Sequence, residues 1–91
     1  MISVSIMKFF RINVYGRVHG VGFRYSALRA AKENKLCGTV RNTRDGVEII
    51  VNEKDFLERL DLPSFARITD KTIEEIELEE FSDFKIIDST Y

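Results

Sequence analysis

From Gly16 to Arg24 the chain reads GRVHGVGFR, and from Gly38 to Asn42 it reads GTVRN. Three of the five glycines fall in the first stretch, and an arginine closes it. Glycine admits positive φ and close backbone approach, so such a run can turn successive N–H groups toward one point. Where a loop of this kind leads into a helix, its amides and the positive helix end together cradle an anion. Gly20 and Gly22 fit that picture, and Val18, His19, Val21 and Phe23 add further amides. Arg24 falls in the first turn of the expected helix, where its planar fork can grip two phosphate oxygens at once. The chemistry this suits is the handling of a phosphoryl group. The same spacing also suits a tight structural turn with an exposed arginine. Two phosphate motifs are excluded. No Gly-Lys-Ser/Thr follows Gly22, so this is not a Walker loop, and Gly20-Val21-Gly22 lacks the third glycine of the dinucleotide fingerprint.

The elements that must position these residues can be read from periodicity. Phe10, Ile12 and Val14 alternate with polar neighbours, which predicts a strand with one buried face. After the loop, helix-favouring residues predict a helix over 21–33, with Phe23, Ala27 and Ala31 on its inner face and Asn34 as a left-handed stop. A second strand is expected over 36–41. The Asp45-Gly46 pair then predicts a hairpin into a third strand over 47–51. Asn52 reads as the cap of a second helix with Phe56, Leu57 and Leu60 inside, broken or kinked by Pro63. A fourth strand is expected over 73–78, although Ile73, Ile76 and Glu80 also stand near helical spacing. Residues 84–87 read as a short last strand.

The predicted class is therefore α+β, a ferredoxin-like βαββαβ plan: an antiparallel sheet with two helices on one face. In that plan the first and second strands run parallel with the third between them. Their carboxyl ends lie on one edge, so the glycine loop and Asn42 can meet there. An amide at that point can orient a water by donating and accepting. Taken alone, Asn42 also reads as an ordinary turn asparagine.

With 91 residues the chain is expected to form one domain over 1–91. Met7 offers a second start, so residues 1–6 read as a dispensable extension. Fourteen basic and fifteen acidic residues leave a net charge of -1, which argues against nucleic-acid or membrane-surface partners. The halves differ, however: 8–44 is mostly basic and 70–83 mostly acidic, so a local positive site is expected toward the front. Cys37 is the only cysteine, read as a small buried hydrophobe. One cysteine and no secretory or membrane-spanning run fit a cytoplasmic setting. No cluster has metal-ligand spacing, so neither a metal nor another cofactor is expected.

The pairing of GRVHGVGFR with GTVRN, followed by an Asp-Gly turn, resembles the acylphosphatase family. Gly16, Val18, Gly20, Val21, Phe23, Arg24, Gly38, Val40 and Asn42 match its pattern, G-x-V-x-G-V-x-F-R and then G-x-V-x-N. The resemblance runs over about 7–87 and weakens after Val51. It implies a small metal-independent enzyme that hydrolyses the carboxyl-phosphate bond of acyl phosphates. Inorganic phosphate or sulfate would then be a product or competitor. It further implies that the loop Arg17–Phe23 and Arg24 hold the phosphoryl group, and that Asn42 orients the attacking water. The sequence departs from the family at His19, where glutamine is usual, and at Thr39, where an aromatic is common. The hairpin is shorter than usual, and Pro63 falls in the usual second helix. His19 is not expected to act as an acid or base, because the loop works through its backbone.

Two other functions compete. One is a non-catalytic acylphosphatase-like binding or maturation module, as found at the front of carbamoyl-transfer maturation proteins. The chain's end at Tyr91 without a partner domain favours the enzyme. The other is an RNA-binding sheet, disfavoured because the third strand, VEIIV, carries no aromatics.

Overall fold

The computed structural model describes residues 6–79 and 82–89. In chain order it contains β1 (Ile6–Arg17), α1 (Phe23–Glu33), β2 (Gly38–Asn42), β3 (Gly46–Val51), a 3-10 turn (Phe56–Arg59), β4 (Arg67–Glu79) and β5 (Phe84–Ile86). The five strands form one sheet in the order β4-β1-β3-β2-β5. The β4–β1, β1–β3 and β3–β2 pairs are antiparallel, but β5 runs parallel to β2. The expected wholly antiparallel sheet is thus a mixed one.

Alternation sorts the faces. Ile12 stands opposite Ile49, and Val14 opposite Val47. In the next strand Val40 stands opposite Ile49. These side chains are buried with Phe23, Ala27, Ala30 and Ala31 of α1, so the helix covers this face of the sheet. On the other face Glu74, Arg11, Glu48 and Arg41 form an ion-pair row across four strands. That row takes two cations of the basic front half away from the loop side. Phe10, expected in the core, is only half-buried, while Phe9 on the opposite face is fully buried.

One α-helix is present among the described residues, not two. Asn52, expected to cap the second, instead accepts a hydrogen bond from the Cys37 N–H at 3.1 Å. Proline disfavours helical backbone at the residue before it, here Leu62, and Leu60 is already extended at φ -82, ψ 132. Only a handful of residues remain between these limits, too few to repay helix nucleation. The result is a four-residue 3-10 turn that drives Phe56 into the core, 6.0 Å from the Phe84 ring.

Smaller departures have local causes. The left-handed residue after α1 is Lys35, φ 56, rather than Asn34. Asn34 instead turns its side-chain amide back to the Ala30 carbonyl at 2.7 Å. Cys37 is half-buried, not buried. β4 is a 13-residue strand, longer than expected because it follows β1 along its whole length. The proposed extension over 1–6 lies outside the described residues except for Ile6, which belongs to β1. No described helix is long and apolar enough to cross a membrane.

Candidate active site

β1 delivers the glycine loop to one end of the sheet. Arg17 is still strand, registered with Arg67 of β4, so the loop proper is Val18–Gly22. Phe23 opens α1. Val18 and Phe23 are almost fully buried, and they pin the loop at both ends. Between them Gly20 and Gly22 take left-handed backbone, φ 67 and 81. Around Gly20 an added Cβ would meet nothing within 4 Å, so the loop crest faces open space.

The loop's hydrogen-bond account is open. Among the described residues, the N–H groups of Val18, Gly20, Val21, Gly22, Phe23 and Arg24 have no acceptor. The first helical bond of α1 begins only at Ser26, which donates to the Gly22 carbonyl at 3.1 Å. Gly22 is the N-cap, no side chain caps the helix, and no acid stands in its first turn. The helix end therefore keeps its positive dipole unneutralised. Arg24, half-buried, adds a full cation there and has no ion-pair or hydrogen-bond partner among the described residues. A cation beside a positive helix end is unfavourable without an anion. Together these groups gather unsatisfied donors and positive charge at one end of the sheet.

Asn42 ends β2 and is 8% exposed. It stands opposite Val47, which stands opposite Val14, so the three share one level and one face of the sheet. At strand spacings of about 4.8 Å, Asn42 is two strands, or roughly 10 Å, across from β1. It lies on the face α1 covers, at the end where α1 begins. A contact that sequence reasoning missed ties the two parts together. The His19 Nε2–H donates to the Gly46 carbonyl at 2.6 Å, and the Thr43 N–H donates to the same oxygen at 2.8 Å. His19 thus fastens the loop to the turn that follows Asn42. No local sequence signal marks this, because it depends on a fold-level meeting of loop and hairpin.

A cleft of about 500 Å³ lies elsewhere, between the 3-10 turn and β4. It is lined by Leu57, Ile68 and Lys71 among others, and includes neither Arg24 nor Asn42. It opens where the short turn leaves β4 uncovered. Convergent unsatisfied donors, not cavity size, mark the candidate site. Among the described residues, no three His, Cys, Asp or Glu side chains are grouped so as to hold a metal.

The acylphosphatase family model matches residues 10–86. The chain belongs to the acylphosphatase family. It is 44% identical over 85 residues to an acylphosphatase of Bacillus licheniformis, covering 85% of this chain and 94% of that protein. Its fold matches the crystal structure of acylphosphatase from Bacillus subtilis with a TM-score of 0.79 and 38% identity, covering 89% of this chain and 99% of that one. It is also 45% identical over 87 residues to a probable carbamoyltransferase, HypF, of Methanocaldococcus jannaschii. That match covers 87% of this chain but spans only 11% of the much longer relative.

Proposed function

We propose that the chain is an acylphosphatase, hydrolysing acyl phosphates to a carboxylate and inorganic phosphate without a metal. The observation that carries this reading is that, among the described residues, the N–H groups of Val18 and of Gly20 to Arg24 have no acceptor, beside an Arg24 side chain that has no partner there. Those donors receive the phosphoryl oxygens, and Arg24 bridges two of them. Asn42 holds the water in line with the carboxyl-phosphate bond. As the water oxygen bonds to phosphorus, the bond to the carboxylate breaks, and the water's proton passes to a phosphoryl oxygen. Carboxylate is a good leaving group, so positioning and charge stabilisation suffice. His19 holds the loop against the hairpin. The strand order supports a ferredoxin-like plan whose second crossover is made by the 3-10 turn.

The partners proposed are a small acyl phosphate, with phosphate or sulfate as competitor, and no nucleic acid or membrane. We read the chain as one cytoplasmic domain with 1–6 dispensable. The carbamoyltransferase relative favours one alternative, a module serving a larger maturation protein. Release of inorganic phosphate from an aryl acyl phosphate separates the two. Turnover undiminished by chelator supports the enzyme. No turnover by the folded chain supports the module, and turnover lost in chelator and restored by magnesium refutes the metal-free mechanism.

A further inference from the structure

In-line displacement at phosphorus puts the attacking water and the leaving group on opposite sides. Asn42, the proposed water-holder, ends β2, two strands to one side of β1 in the order β4-β1-β3-β2. With phosphorus over the loop that follows β1, the acyl carboxylate departs on the other side, toward β4. That flank is made by the chain as it enters β4. Arg67, the first residue of β4, stands opposite Arg17, the last of β1. Just before it the Ala66 N–H donates to the Pro63 carbonyl at 2.9 Å and closes a turn over 63–66. The Pro63 Cγ comes within 4.0 Å of the place a Cβ on Gly22 would occupy. The turn is therefore anchored at both ends of the glycine loop, by Pro63 at Gly22 and by Arg67 at Arg17.

The surface this turn offers is apolar. Leu62, Pro63, Ser64, Phe65 and Ala66 carry no charge. Ala66 packs against the core, whereas Leu62 is 45% and Phe65 74% exposed. Phe65 is more exposed than any other large hydrophobic residue described. It stands two residues from Pro63 and two from Arg67, so its Cα lies within about 7.6 Å of each. A ring left out of the core at this flank meets the one part of the substrate that the loop does not hold, the group attached to the phosphoryl. The cleft lined by Leu57 and Ile68 opens on the same side of β1, and no described helix covers it.

We propose, resting on the site read above, that the turn over 62–66 is the acyl subsite and that Phe65 is its specificity-determining residue. It selects acyl phosphates with an aromatic or bulky apolar acyl group over acetyl phosphate. A planar acyl group lies against the Phe65 ring in an offset or edge-to-face contact, with Leu62 and Pro63 at its rim. Apolar surface leaves water on both partners, so the gain appears in substrate binding and grows with the acyl area covered. An acetyl group covers little of that surface. The phosphoryl group is held by the loop amides and Arg24, independently of Phe65.

Steady-state turnover of benzoyl phosphate and of acetyl phosphate by wild type and Phe65→Ala tests this. Phe65→Ala should raise KM for benzoyl phosphate roughly tenfold and leave its kcat within about twofold. Both constants for acetyl phosphate, and inhibition by inorganic phosphate, should stay within about twofold. The two substrates differ in intrinsic reactivity, and comparing each with itself across the variants removes that difference. Phe65→Tyr keeps the ring and should keep the wild-type KM for both substrates, a rescue that a merely structural role would not confine to benzoyl phosphate. Phe65 is exposed, so the urea midpoint should change little in either variant. Equal losses on both substrates, or weakened phosphate inhibition, would make the turn a support for the loop and overturn the acyl subsite while the proposed activity stands. Benzoyl phosphate kinetics indifferent to Phe65→Ala overturn it in the same way. A wild-type chain that turns over neither substrate refutes the proposed activity, and the acyl subsite falls with it.

Discussion

Replacing Gly46 by alanine should damage the sheet far more than the same change at Gly20. Gly46 is not in the left-handed region, so its role is not the turn conformation that an Asp-Gly pair suggests. A Cβ built on it lies 1.9 Å from the Val14 carbonyl oxygen and 3.2 Å from Tyr15 Cδ1. Carbon-to-oxygen contacts normally begin at about 3.3 Å, so the strands must part by roughly 1.4 Å. The obstructing oxygen is backbone and cannot rotate aside. Parting β1 from β3 there strains the ladder beside Tyr15, costing one or two hydrogen bonds at about 1 kcal/mol each. Overpacking adds about 1–3 kcal/mol, for a total of roughly 2–5 kcal/mol. At Gly20, φ 67 with open space around it, only the left-handed backbone is penalised, by about 1–2 kcal/mol. Urea midpoints of the alanine and asparagine variants at each position separate the two causes. Asparagine tolerates left-handed backbone, so Gly20→Asn should be milder than Gly20→Ala. At Gly46 asparagine should be no better than alanine. A Gly46→Ala variant within about 1 kcal/mol of wild type, or one rescued by asparagine, would refute the close-approach reasoning.

Asn42→Ala should keep the fold and inorganic-phosphate affinity but lose most turnover, measured by calorimetry and phosphate release on the same preparation; affinity falling in step with rate would make Asn42 an anion ligand instead. Asp83 is held below the usual carboxylate range, first by the Phe84 N–H and then by Lys32 at 3.6 Å. A lowered folded-state value means Asp83 stabilises the fold above the ordinary carboxylate range and stops doing so as pH falls through the folded-state value. The difference in Tm between wild type and Asp83→Asn should therefore be largest near neutral pH and vanish in acid, and a constant difference would contradict it.

The parts that were legible in the sequence are those decided locally. Alternation around Ile12 and Val14 revealed β1, helix-favouring residues after Phe23 revealed α1, and Asp45-Gly46 revealed the hairpin. The expected plan ran β1 and β2 parallel with β3 between them, and the strands do so. The second helix failed because Asn52 was read as a local cap, whereas its side chain serves Cys37, 15 residues away. β4 was under-read because most of it is exposed, so burial imprints little period on its residues. The parallel pairing of β5 with β2 and the His19–Gly46 contact are long-range and leave no local trace. Asp45-Gly46 marked the hairpin, although Gly46 itself is not left-handed.

The central claim is that Arg24 is held at a positive helix end to meet a phosphoryl group. Acyl-phosphate turnover by Arg24→Ala, set against its urea midpoint, tests it most directly. Losing one well-placed donor to developing charge costs roughly 10²–10³ in rate, and a bidentate cation should cost at least that. Lysine should not restore it, being a point charge on a flexible stem. The midpoint should hold or rise, because removing the cation relieves its repulsion with the helix dipole. A folded Arg24→Ala variant with near-normal turnover would contradict the account.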